Sequence, residues 1–297
     1  MTFQTFMQQL ANGISIGSLY ALVAIGYTMV YGILRLINFA HGDIFMMAAY
    51  FMVFAMINFN LPWYLASLIV LAATVALGVI IEKAAYKPLR DAPRMSIMIS
   101  AIGVSFLLEN LATYLFTGVP KGFPDISFLT ASVSFGGISL SIATIITPII
   151  TIILLLFVLF ITNKTKIGMA MRAVSKDYET ARLMGIKINR VISMTFIIGS
   201  GLAAIGAILW GTKYPSVMPL MGVMPGLKCF IAAVLGGIGN TTGAVLGGFI
   251  LGMGEIMLVS FLPSLTGFRD AFAFIVLIIV LIVKPTGLLG EKVTDKV

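Results

Sequence analysis

The chain has 297 residues, of which 60% are apolar and only 10% charged, with a net charge of +8. A soluble domain is roughly 45–50% apolar and about 25% charged, so a mean hydropathy of +1.09 means that most of this surface is solvated by lipid. In such a chain a positive balance reports orientation across a bilayer rather than nucleic-acid binding.

A membrane helix needs about 20 mostly apolar residues. No charged residue precedes Arg35, and residues 10–33 are predicted as the first span. The N-terminus lacks the positive region of a cleavable signal peptide, so this segment is expected to be retained. Residues 44–81 are uncharged but broken by Asn58, Asn60 and Pro62, which predicts spans at 41–57 and 62–81. The fourth span covers 95–117 and contains Glu109 and Asn110. Residues 118–139 hold Gly, Pro, Ser and Thr with short alternating runs at 126–129 and 132–135. They predict an extracytoplasmic loop with a small hairpin. Further spans are predicted at 140–162, 191–211, 243–260 and 266–283. The apolar run 226–238 is short and predicts a partial or re-entrant span. The fold class is an all-α polytopic membrane protein of eight or nine transmembrane helices, broken or re-entrant ones among them, in a single domain.

Fifteen of the 19 basic residues fall in four places. These are Arg35; Lys83, Lys87, Arg90 and Arg94; seven residues between Lys164 and Arg190; and Lys284, Lys292 and Lys296. Placing all four in the cytoplasm satisfies the positive-inside rule with nine crossings and puts the C-terminus inside. Trp63 and Trp210 then anchor outer ends of their spans.

Segment 163–190 carries more structure than a linker needs. Met169–Val174 are helix formers, Ser175 or Asp177 can cap the next turn, and Glu179 suits the first turn of that helix. Tyr178–Met184 continue it, and Gly185 is placed as its C′ residue. Ala181 and Gly185, four apart, predict a face for close contact, and Ile186 and Ile188 add apolar surface. Such an element either docks a soluble partner or rests on lipid headgroups.

The stretch Gly168–Ile186 resembles the cytoplasmic coupling region of ABC-importer permeases for branched-chain amino acids. Three other stretches agree, in the family's order: Ile37–Asp43, Leu235–Gly248 and Lys284–Gly290. The resemblance implies a permease subunit in a cell membrane of a prokaryote. It implies a second, homologous permease subunit, two cytoplasmic ATP-binding subunits and an extracytoplasmic solute-binding protein as partners. It also implies that Arg172, Asp177, Glu179, Ala181, Leu183, Gly185 and Ile186 couple to the ATPases. Related permeases serve urea, short amides or other amino acids. Cys229 stands where a small residue such as Ala is expected, and Cys is small enough to substitute.

No phosphate loop, zinc-protease motif or nucleophile elbow occurs, and the single Cys and single His argue against a metal centre. The chain is therefore expected to bind no cofactor or metal, with ATP held by partners, no catalytic residues and no nucleic-acid partner. Intramembrane ionisable residues are functional candidates by default. Glu109, Asn110 and Glu255 qualify as pathway or gate residues. Asn38, His41 and Asp43 cluster between the first two spans on the inner side, where Gly42 permits a turn and Asp43 can cap the helix; with Asn240 they join the candidate pathway or gate residues. Asn240 lies in a glycine run whose pairs Gly243/Gly247 and Gly248/Gly252 predict close helix packing, and Gly236, Gly237 and Gly239 predict broken-helix backbone. A secondary transporter would explain the broken helices and the intramembrane Glu, but not segment 163–190. An intramembrane enzyme would lack a paired nucleophile and base.

Overall fold

The computed structural model describes residues 2–90, 92–135 and 137–290. Lys292 and Lys296, and the side chain of Arg94, lie outside what is described. In chain order the helices are α1 (Phe3–Leu34), α2 (His41–Val53, extended by a π-turn to Asn58), α3 (Trp63–Ile81) and α4 (Arg94–Phe116). Then come β1 (Lys121–Gly122), α5 (Ser127–Thr130), β2 (Ser132–Phe135), β3 (Ile138–Ser141) and α6 (Ile142–Lys164). Next are α7 (Lys166–Lys176), α8 (Tyr178–Leu183), α9 (Ile188–Lys213), β4 (Ser216–Val217), α10 (Val223–Gly236), α11 (Thr241–Phe261) and α12 (Arg269–Val283, led in by a continuous 3-10 turn from Pro263, 21 residues in all). Among the described residues, eight helices are long and apolar enough to cross a membrane.

α10 is the exception. Its 14 residues reach about 21 Å at 1.5 Å per residue, short of a hydrocarbon core of about 30 Å. The helix itself is thus partial, but it runs from the stretch after β4 on the hairpin side to the end of α1, where Gly239 meets Gly32, so residues 214–236 together complete a ninth crossing. α1 is longer than its predicted span. The Thr2 side chain caps it by accepting the Thr5 N–H at 3.3 Å, and it stops where Arg35 turns left-handed at φ 55°.

α1 is enclosed by α6, α9, α10 and α11, and hardly any of its apolar surface beyond the first turns is exposed. Lipid is as apolar as leucine, so association here depends on close packing of small residues. The two glycine pairs of α11 serve different neighbours. A Cβ on Gly248 would lie 2.5 Å from Ala21 N, and one on Gly252 would lie 2.3 Å from Gly17 N, both on α1. On the other face, Cβ atoms on Gly243 and Gly247 would lie 2.3 and 2.0 Å from the carbonyl oxygens of Gly236 and Ala232 on α10. α3, α4, α6 and α12 instead present bare apolar side chains, among them Leu68, Ile99, Ile153 and Ile282.

The basic segments share one face. Arg35 donates to the Ser175 carbonyl at 2.8 Å, and Arg90 bonds Asn189. The opposite face carries the β2–β3 hairpin, where Gln8 donates to the Ser139 carbonyl at 3.0 Å, and the short β1–β4 pair. The run 126–129 departs from the extended reading and turns as α5. The Asp125 carboxylate accepts from Ser127 Oγ at 3.1 Å and Thr130 Oγ1 at 2.7 Å, a local alternative to a strand ladder. Segment 82–90 is not an open loop either. Helical turns continue α3 to Leu89, and fully buried Glu82 binds Arg90 and accepts from Ser193 Oγ at 2.8 Å.

Candidate functional site

α2 starts inside the span. The chain leaves α1 at Arg35 and turns back into the protein, with Leu36, Asn38 and Ala40 buried. The His41 ring meets Tyr27 edge-on, with centroids 4.6 Å apart. Gly26 and Gly199 make room for it: a Cβ on Gly26 would lie 2.5 Å from His41 Nε2. Gly26 sits eight residues before the end of α1, about 12 Å along the axis. Irregular backbone at that depth survives only when enclosed by protein. Asn38 helps to enclose it, its Oδ1 accepting from Tyr86 OH at 2.6 Å.

The amino end of α10 abuts that of α2. A Cβ on Gly222 would lie 2.1 Å from the Gly42 carbonyl oxygen, and one on Gly226 would lie 3.1 Å from Gly42 Cα. The positive ends of two helix dipoles therefore converge inside the bundle. Gly42 is itself helical, so its use is clearance for this contact rather than a turn. Asp43 is not the cap of α2. That position is Ala40, without a side-chain bond, and Asp43 lies in the first turn, accepting from Ser105 Oγ of α4.

A cleft of about 260 Å³ opens where α1, α2, α4 and α10 meet. Its polar lining is Tyr27, Asp43, Ser105 and Glu109; Ile102, Phe106, Leu227 and Phe230 supply apolar walls. Asp43 is 2% exposed, and Glu109 lies within electrostatic reach of it. No cation among the described residues pairs with either carboxylate. Asn110 does not line the cleft; it is exposed, its amide donating to the Phe106 carbonyl one turn back at 2.7 Å.

Glu255 sits elsewhere, and its charge is matched. Completely buried, it accepts from Tyr20 OH at 2.9 Å and Arg269 Nε at 2.8 Å and pairs with Lys228 Nζ at 2.9 Å. Lys228 also pairs with Asp270 at 2.6 Å. Lys228 was not among the sequence candidates, although a lysine inside the apolar run 226–238 was a sufficient signal. Asn240 caps α11, its Oδ1 accepting the Gly243 N–H at 3.0 Å.

On the basic face, α7 and α8 form an ordered unit. Asp177 rather than Ser175 is the cap: it accepts the Thr180 N–H at 3.0 Å and Thr180 Oγ1 at 2.6 Å. Gly185 at φ +80° ends α8, with the Ile186 N–H bonded to the Ala181 carbonyl at 3.1 Å, a Schellman closure. Arg172 bonds the Thr162 carbonyl. Ala181 and Gly185 do not share a docking face. Ala181 is buried and Ile186 packs on the core, because α8 leans on α9. The free side carries Glu179, Leu183 and Met184, of which Leu183 is 86% exposed.

The family model for the permease component of branched-chain amino acid transport systems matches residues 9–281. The chain belongs to that family. It is 40% identical to the high-affinity branched-chain amino acid transport system permease protein LivH of Escherichia coli K12, over 99% of each chain. It is 39% identical to the permease protein BraD of Pseudomonas aeruginosa, over 98% of each, and to LivH of Salmonella typhimurium LT2, over 99% of each. A solved structure, PsaBC from Streptococcus pneumoniae in complex with Fab, shares the fold with a TM-score of 0.51 at 13% identity, over 93% of this chain and 91% of that one.

In this permease the third matching stretch, Lys284–Gly290, closes the end of α10. The N–H groups of Leu288 and Leu289 donate to the carbonyls of Leu235 and Gly236 at 2.9 and 2.8 Å, satisfying acceptors that a helix end leaves open. Asn240 Nδ2 holds the clip by donating to the Leu289 carbonyl at 2.9 Å. Gly237 and Gly287, both at positive φ, permit the contact.

Proposed function

We propose that this permease moves branched-chain amino acids across the cytoplasmic membrane, driven by partner ATPases. What supports the reading is one observation: identity of 39–40% to branched-chain amino acid permeases runs over nearly the whole of both chains. The basic face, with the C-terminus, is cytoplasmic under the positive-inside rule, and the solute-binding protein delivers substrate at the hairpin face. ATP is bound and hydrolysed by two partner subunits, and this chain holds no cofactor.

α7 and α8 couple those subunits to the spans. Glu179, Leu183 and Met184 enter a groove on an ATPase, while Arg35 and the α7 packing against α1, α6 and α9 carry its movement into the bundle. Closure of the ATPases shifts the permease between inward- and outward-facing states, because nucleotide and loaded binding protein favour one state over the other. A second permease subunit covers the side of α4 that bears Glu109 and Asn110, where lipid would leave polar groups without partners. The test is Leu183→Glu with Met184→Glu: the expected variant inserts normally but loses both ATPase co-purification and uptake of leucine. Retention of both activities would refute the coupling role.

A further inference from the structure

We infer that the cleft between α2, α4 and α10 is a binding subsite for the α-ammonium group of the transported amino acid, with Asp43 as its anchoring carboxylate. This rests on the reading above that the permease carries amino acids. Two carboxylates, Asp43 and Glu109, line one small cavity and have no cationic partner among the described residues. The contrast with Glu255, which has two cations and a phenol around it, shows how this protein neutralises a buried acid that has no ligand to receive. A carboxylate withdrawn from water needs a counter-charge, and in this cleft the substrate brings it.

The rest of the cavity fits the rest of the solute. The amino ends of α2 and α10 border it at Gly42 and Gly222, so the positive ends of two helix dipoles favour the carboxylate of a zwitterion there. Ile102, Phe106 and Phe230 face an aliphatic side chain. At about 260 Å³ the space falls below the roughly 300–1,000 Å³ that hold drug-sized ligands, as suits a small solute. Ser105 Oγ fixes the Asp43 rotamer from α4, so movement of α4 relative to α2 would weaken the site and release the substrate.

The experiment uses the whole transporter in nanodiscs, without the binding protein, so that only the membrane subunits bind. Leucine contact is read by saturation-transfer NMR, with two competitors that keep leucine's isobutyl chain: isoamylamine, which keeps the ammonium, and isocaproate, which keeps the carboxylate. The expected result is displacement by isoamylamine, lost in Asp43→Asn and weakened in Glu109→Gln. Leucine uptake by the reconstituted system should fall at least tenfold in Asp43→Asn, with normal assembly on size exclusion. Displacement by isocaproate alone, or wild-type uptake in both variants, would overturn the subsite and leave the permease reading intact. Failure of the wild-type system to take up any branched-chain amino acid would overturn both.

Discussion

Glu255 and Asp43 are both acidic residues held away from water within the membrane spans, yet they are built oppositely. Glu255 is locked between Lys228, Arg269 and Tyr20, joining α1, α10, α11 and the start of α12. Asp43 has one hydroxyl from Ser105 and an open cavity in front of it. The first arrangement closes an electrostatic account inside the protein. The second leaves it open, and an intramembrane acid left open marks a place where a ligand arrives.

The largest expected effect comes from breaking the closed arrangement. Lys228→Met leaves Glu255 under-compensated, and removing one partner of a buried pair costs about 3–5 kcal/mol. A large drop in the melting temperature of the detergent-solubilised complex would register it. Adding Glu255→Gln should restore most of that loss, because the uncompensated charge is gone; a double variant no more stable than Lys228→Met would show that the cluster is not acting through charge.

Next in size is packing. Gly248→Ala places a methyl against the Ala21 backbone of α1, and overpacking of this kind costs roughly 1–3 kcal/mol. Gly103→Ala, with nothing within 4 Å of the new Cβ, should leave the same melting curve unshifted. Asp43→Asn belongs lower still on the stability scale, within about 1 kcal/mol, since Asn retains an acceptor for Ser105. A stability loss comparable to that of Lys228→Met would erase the distinction between the two acids. The smallest stability effect is expected for Leu183→Ser, within about 0.5 kcal/mol, because the side chain is exposed; its loss should appear in uptake instead.

Much of this organisation was legible in the chain. Spans follow from uninterrupted apolar length, which a bilayer imposes directly, and the glycine pairs of α11 follow from helical periodicity. The caps at Asp177 and Gly185 are local chemistry and were equally readable, although the choice between Ser175 and Asp177 was not. Three things were hidden. A small residue such as Ala181 suits close contact, but sequence does not say against which neighbour. Turn and cap are the local roles open to Gly42 and Asp43, whereas their actual contacts, Gly222 and Ser105, are distant in sequence. Lys228 was visible as an anomaly but had no partner until α10, α11 and α12 were brought together.

By itself, then, the sequence determined the solvent, the number of long spans, the sharing of one face by the basic segments and the helical punctuation of segment 166–185. Each of these depends on residues within a few turns of one another. Only the tertiary structure decided that α2 begins partway across the bundle, that its amino end meets that of α10, and that one buried acid is neutralised while the other opens onto a cleft. Those outcomes depend on which backbones approach closely across long sequence separations, and the energy of a buried charge is set by those neighbours rather than by the residue that carries it.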